Sequence, residues 1–303
     1  MEGKNVTVTD GYITMHDGVR LFFQQTGNRE KTLLILNGFF LFNDFEYLAD
    51  DRTVIGIDLR NRGRSDYITD DAKLNRGIHQ DVDDIEAIRL HCGADNIDLL
   101  SHSYAGIIPI LYAAKYPAKV GRIVQISSIQ PNQSTQYPPH LTNADAVLQR
   151  FFASLGQLQQ EQQALTPEEF CGKFWTLLRT LYVVNPDDAD KIEHWKSCHL
   201  PTELNFMSYW MRSLMPSIQS LNFSSEDLPK VQGPVLAVHG TKDRSAPYGG
   251  GREWALILPN ARLLTIEDVA HAPWIEAPDK VLGPIKTFLN GAWPEAAERV
   301  ESL

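Results

Sequence analysis

Three residues scattered along the chain have the types needed for nucleophilic chemistry at a carbonyl: Ser103, Asp243 and His271. A serine hydroxyl is a weak nucleophile until a neighbouring base takes its proton, and that base needs a third group to orient it. Ser103 lies in the stretch Ile97-Asp98-Leu99-Leu100-Ser101-His102-Ser103-Tyr104-Ala105-Gly106. An apolar run short enough for a buried strand meets a small–x–Ser–x–small turn there, and an apolar segment of helical length follows over 107–116. Strand, sharp turn and helix together hold a serine on strained backbone with its hydroxyl exposed. The residues two before and two after must be small, and Ser101 and Ala105 are. A serine-rich strand–helix turn would look the same locally, so the assignment of Ser103 as nucleophile depends on its partners.

Those partners follow in the order acid, then base. His271, one of nine histidines, lies in Glu267-Asp268-Val269-Ala270-His271-Ala272-Pro273-Trp274, just after the last strong apolar run. Asp243 follows the run Val235 to Val238 and a glycine turn, where it can orient the histidine. Asp268 competes, but from three residues away on the same loop it is badly placed to reach the ring nitrogen. After the fourth strand, another place for an acid, stand Ser127 and Ser128. The developing oxyanion needs fixed donors. The backbone N–H of Tyr104, after the nucleophile, and that of Phe39, in the turn Asn37-Gly38-Phe39-Phe40, are the expected pair.

The elements that must hold these residues are legible as continuous apolar runs. Thr32-Leu33-Leu34-Ile35-Leu36, Thr53-Val54-Ile55-Gly56-Ile57, the run before Ser103, 120–126, 235–238 and 261–265 read as strands buried on both faces. An opening hairpin precedes them, with Asp17-Gly18 as its turn. Helical patterns such as 81–91 alternate with the strands, which predicts a mostly parallel, doubly wound α/β sheet. From 128 to 228 the alternation stops. That stretch opens with a proline-bearing loop and predicts helices over 143–155, 167–181, 187–196 and 201–214, the second started by Thr166-Pro167-Glu168-Glu169. A core of 1–127 and 229–303 with a helical cap over 128–228 is therefore expected.

Composition excludes several classes. With 43% hydrophobic and 22% charged residues the chain is an ordinary globular protein, and a net charge of -10 without a basic run argues against nucleic acid or an anionic membrane as partner. No stretch is long and apolar enough to span a membrane. The chain start Met1-Glu2-Gly3-Lys4-Asn5 lacks the apolar core of a signal peptide. Cys92, Cys171 and Cys198 are few, odd in number and outside any CxxC pair, which predicts no disulfide framework and a reduced, cytoplasmic enzyme. His194, Cys198 and His199 lack a fourth ligand, so neither metal nor other cofactor is expected.

Taken together the motifs resemble those of the α/β-hydrolase superfamily. Asn37-Gly38-Phe39-Phe40 is similar to its HG-x-x oxyanion loop, and Asp58-Leu59-Arg60-Asn61-Arg62-Gly63-Arg64-Ser65-Asp66 to its D-x-R-G-x-G-x-S segment. Ser101-His102-Ser103-Tyr104-Ala105-Gly106 resembles G-H-S-x-G-G, and the Asp243 and His271 segments match the late acid and base. The branch that fits is that of capped hydrolases similar to proline iminopeptidases and small-molecule esterases. Asn37 stands where that family has histidine, and the elbow lacks the G-G-S-W-G form of the iminopeptidases.

The resemblance implies a cofactor-independent serine hydrolase acting on a small carboxylic ester, or on an amide, through an acyl-enzyme. Phe40, Trp175, Tyr209, Trp210 and Trp274 are the candidate contacts to an apolar substrate. An aminopeptidase would need cap acids for a free amine, and Glu168, Glu169 and Glu203 are available. A cofactor-free dioxygenase of the same fold, some of which carry a similar S-H-S elbow, and a non-catalytic ligand receptor are the other readings.

Overall fold

Side chains alternate along each apolar run, and the alternation is what places helices on both sides of the sheet. The computed structural model describes residues 7–223 and 227–303; the chain start Met1–Asn5 lies outside the described residues. The strands are β1 (Thr9–Thr14), β2 (Arg20–Thr26), β3 (Thr32–Leu36), β4 (Thr53–Ile57), β5 (Ile97–His102), β6 (Val120–Ile126), β7 (Val235–Gly240), β8 (Ala261–Ile266) and β9 (Ala297–Glu298). They form one sheet in the order β1-β2-β4-β3-β5-β6-β7-β8-β9. β3 to β8 run parallel, whereas β1, β2 and β9 pair antiparallel at the margins. The two-residue β9 carries no periodic pattern, which is why the sequence does not announce it.

Leu34, Leu36, Leu99, Ile123 and Leu263 bury one face against α2 (Ile78–His91), α3 (Ile107–Lys115) and α9 (Tyr248–Ile257). Leu33, Ile35, Leu100, Val124 and Leu264 bury the other against α1 (Gly38–Phe45) and α11 (Pro278–Leu289), which follows the short α10 (Pro273–Glu276). This is the period of two expected of strands covered on both faces. One close approach fixes the loop after β3. A Cβ on Gly38 would fall 2.6 Å from the Gly56 carbonyl carbon, so only glycine lets the chain turn against β4 there.

Between β6 and β7 the described residues hold no strand. α4 (Ala146–Glu161) starts on Asp145, whose carboxylate accepts from Val147 and Leu148, and α5 (Pro167–Leu178) starts on the Thr166/Glu169 capping box. The helix expected over 187–196 is instead two 3₁₀ turns, Pro186–Lys191 and His194–Ser197. Asp187, Asp188 and Asp190 crowd the first of these, and aspartate competes with the helix by bonding its own backbone. The segment 201–214 is broken into α6 (Pro201–Leu204), α7 (Phe206–Tyr209) and a π turn, Trp210–Leu214; α8 (Met215–Gln219) follows.

The cysteine expectation is overturned. Cys171 on α5 and Cys198 form a disulfide with a Cα–Cα separation of 5.7 Å, across 27 residues. The pair is set by how α5 packs on the turn before α6, a tertiary fact that spacing does not carry. By loop-closure entropy, a bond across a loop of this length destabilises the unfolded chain by about 3.5 kcal/mol. Cys171→Ser/Cys198→Ser is therefore expected to lower the melting temperature by roughly 5–10 °C. Scanning calorimetry checks this, and an unchanged midpoint would show the bond to be without consequence.

Candidate active site

Ser103 sits at the turn between β5 and α3 with a φ of 58°, in the left-handed region. For a residue with a Cβ this conformation costs on the order of 1–2 kcal/mol and persists only where the surroundings impose it. They do: Ser101 and Ala105 are fully buried on either side. Gly106 lies against Ser128, where a Cβ would meet Oγ. Tyr104 follows as the second residue of the turn Ser103–Gly106, and the first amides of such a turn have no partner within it.

Asp243 follows β7 and reaches His271 from its own loop. Its Oδ1 accepts from the amides of Ser245 and Ala246, both at 2.8 Å, and its Oδ2 from His271 Nδ1 at 2.7 Å. Burial alone would raise the Asp243 carboxyl. The facing His271 charge and hydrogen bonds from His239 and His271 outweigh it and hold the group well below the usual range. With the proton on Nδ1, His271 keeps a lone pair on Nε2, which is buried and has no hydrogen-bond partner among the described residues. The His102 and Tyr182 rings lie 4.4 and 4.6 Å from the His271 ring, and His102 Nε2 donates to the His271 carbonyl at 2.9 Å. Asp268 is exposed and lies 3.8 Å from Lys242.

A cavity of about 300 Å³ opens beside Ser103. Phe39, Phe40, Trp175 and Trp210 line it together with His102 and Tyr104, and Phe151, Phe174 and Met207 extend its apolar wall. Two expected contacts lie elsewhere. Trp274 is buried beneath Phe40 and His102, its Nε1 donating to Asp44 at 2.8 Å. Tyr209 points away because the chain breaks into short turns there, and its ring covers the Arg62 guanidinium at 5.6 Å. The Phe39 amide is also engaged: it donates to Asp58 Oδ1 at 2.6 Å, which removes it as a free oxyanion donor in this structure. Of the expected pair this leaves Tyr104, which lines the cavity.

The cavity has a polar end that aromatic composition does not foretell. Arg62 is 1% exposed, pairs with Asp81 at 2.7 Å and lies between the Tyr104 and Tyr209 rings. Glu203, from α6, is 4% exposed and accepts the Gly63 amide at 2.9 Å. Burial, reinforced by the Asp58 charge, pushes its carboxyl up to about 7 against the opposing Gly63 bond and Arg62. Glu168 is exposed and Glu169 is spent on the capping box, so of Glu168, Glu169 and Glu203 only Glu203 reaches the cavity. Cys198, bonded to Cys171, is not a free ligand, and among the described residues no cluster of histidine, cysteine and carboxylate groups could hold a metal ion.

The turn at Ser103 after β5, Asp243 after β7 and His271 after β8 stand in chain order at the same ends of parallel strands of one sheet. The family model described as alpha/beta hydrolase fold matches residues 31–278, and the chain belongs to that family. It is a hydrolase, 25% identical over 287 residues to the bifunctional esterase/perhydrolase DCH of Acinetobacter calcoaceticus, a match spanning 88% of this chain and 95% of that one. Among solved structures it resembles an esterase from Exiguobacterium antarcticum, with TM-score 0.71 and 16% identity over 92% of this chain and 99% of that chain. It also resembles 2-hydroxy-6-oxo-6-phenylhexa-2,4-dienoate hydrolase from Rhodococcus sp. strain RHA1, with TM-score 0.72 and 18% identity over 95% and 100% of the two chains. Among the described residues no helix is long and apolar enough to cross a membrane.

Proposed function

We propose that the protein is a serine hydrolase that cleaves carboxylic esters of small, largely apolar molecules through an acyl-enzyme. The observation that carries this reading is the Asp243–His271 bond of 2.7 Å, which leaves a buried, unpartnered Nε2 on His271, whose ring lies 4.4 Å from that of His102, the residue before the strained Ser103. Ser103 Oγ attacks the ester carbonyl as His271 Nε2 takes its proton, and Asp243 stabilises the imidazolium so formed. The Tyr104 amide holds the oxyanion. The His271 proton then passes to the leaving alcohol, and water, deprotonated by the same nitrogen, releases the acid. The hydrogen bond from Ser103 to His271 forms with substrate, since such bonds are often open in unliganded sites. Residues 128–228 act as a lid whose Trp175 and Trp210, with Phe40 opposite, hold the apolar part of the substrate.

The esterase activity named for the Acinetobacter relative supports the ester reading. A proline iminopeptidase-like activity is the second reading, because Glu203 reaches the cavity, but the Arg62 guanidinium on the same wall opposes a free amine. A dioxygenase is disfavoured by Ser127 and Ser128, which stand after β6 where an acid would serve that chemistry. A series of p-nitrophenyl esters beside proline β-naphthylamide tests the choice. Short and medium acyl esters should be turned over with kcat/KM at least about 100-fold above the amide, a gap of roughly 3 kcal/mol. An amide cleaved faster than every ester would replace the esterase reading with the peptidase one.

A further inference from the structure

The histidine of β7, His239, is fully buried and plays no part in the proton transfers above. Its Nε2 lies 3.1 Å from Asp243 Oδ2 and 3.2 Å from the Ala246 carbonyl oxygen. Both neighbours are acceptors, so the ring carries its proton on Nε2 and shares it between them. Asp243 Oδ2 thus faces two imidazoles, those of His271 and His239, while Oδ1 holds two amides. The other ring nitrogen, Nδ1, is buried and has no hydrogen-bond partner among the described residues.

The neighbouring helix is built around this ring. α9 carries Gly249-Gly250-Gly251, although glycine costs a helix interior about 1 kcal/mol each relative to alanine. A Cβ on Gly251 would fall 2.5 Å from His239 Nδ1 and 3.0 Å from its Cγ, so Gly251 is the residue that lets the imidazole lie beside Asp243.

We propose that His239 is a positioning residue of the triad: its Nε2–H fixes the Oδ2 edge of Asp243 and takes up part of that oxygen's charge. Asp243 then orients His271 without over-stabilising its imidazolium, which must surrender the proton to the leaving alcohol. This rests on the serine hydrolase reading for its catalytic consequence, but the charge sharing itself does not. The groups bearing on the two rings are few. His271 faces Asp243 from the β7 end, His102 from β5 and Tyr182 from the loop after α5; His239 faces Asp243 and, from α9, the Tyr248 ring at 5.9 Å.

The test compares His239→Leu, which removes the donor, with His239→Gln, whose amide places an N–H near the position of Nε2. Without the donor, Asp243 Oδ2 carries more charge and holds the His271 Nδ1 proton more tightly. The acid limb of kcat/KM should move to higher pH by about half to one unit in the leucine variant, with kcat about 10-fold lower and KM little changed. The glutamine variant should restore the limb. Gly251→Ala, whose Cβ cannot share its place with the His239 ring and so must disturb its seat beside Asp243, should move the limb in the same direction and serves if the leucine variant does not fold. Proton NMR of the substrate-free protein reads the Asp243–His271 proton directly, and its resonance should move downfield when the donor is lost. Leucine and glutamine variants with the same pH profile and the same resonance as each other would overturn the proposal. A shifted resonance in a protein that turns over no ester would uphold the charge sharing and instead refute the hydrolase reading.

Discussion

Ser103→Ala will abolish ester turnover, with kcat lowered by about 10⁵- to 10⁶-fold, the loss expected when one member of a triad acting as a unit is removed. The protein will remain folded. Alanine meets the same left-handed φ of 58° as serine and is no larger, so the turn is not strained further. No buried group loses a partner, because His271 Nε2 has none to begin with among the described residues. The thermal midpoint should therefore stay within roughly 3 °C of the wild type, a change of about 1 kcal/mol. Ester assays and a melting curve on the same preparation check both halves. Turnover within tenfold of the wild type would place the nucleophile elsewhere.

Asp243→Asn has a different signature, because it should damage both activity and stability. The wild-type carboxylate accepts at both oxygens, two amides at Oδ1 and the imidazole side at Oδ2. An asparagine has one acceptor and one NH₂ group. If the oxygen faces Ser245 and Ala246, the NH₂ confronts the His271 Nδ1 proton, and the imidazole must turn or adopt the wrong tautomer. If the oxygen faces His271, the NH₂ meets two backbone donors. A wrong tautomer alone costs about 10⁴-fold in kcat. Either mismatch, fully buried, also costs on the order of 1–3 kcal/mol for each unsatisfied group. Kinetics and denaturant unfolding should show the two losses together. A variant retaining most of its activity would mean that another acid, Asp268 foremost, orients the base.

How much of this could be read in the residues alone depends on how local each determinant is. The sheet was legible because runs such as Leu33 to Leu36 must alternate between two covered faces, and they do. The turn at Ser103 was legible because Ser101 and Ala105 are small where the geometry forbids anything larger. Asp243 and His271 follow from chain order and strand ends, and the bond between them is where those cues point.

What could not be read depends on contacts between distant loops. The Phe39 amide is taken by Asp58, 19 residues on, and nothing in the Asn37-Gly38 turn signals that competition. Trp210 lines the cavity and Tyr209 beside it does not, because a π turn begins between them and sets which side chain faces inward. Trp274 has the composition of a substrate contact, but its indole N–H is bonded to Asp44 beneath the site. The Cys171–Cys198 bond, the burial of Arg62 and the seating of His239 against Gly251 are likewise products of packing, although the run of three glycines was a visible sign that something lies close to α9.

The central claim is that Ser103 is a nucleophile activated by His271, and covalent capture addresses it most directly. Incubation of the native protein with a fluorophosphonate, followed by proteolysis and mass spectrometry, should yield one phosphonyl adduct. The adduct should lie on Ser103, form in parallel with the loss of ester turnover, and be absent from the Ser103→Ala protein. An adduct on another residue, or full inactivation with Ser103 unmodified, would contradict the account.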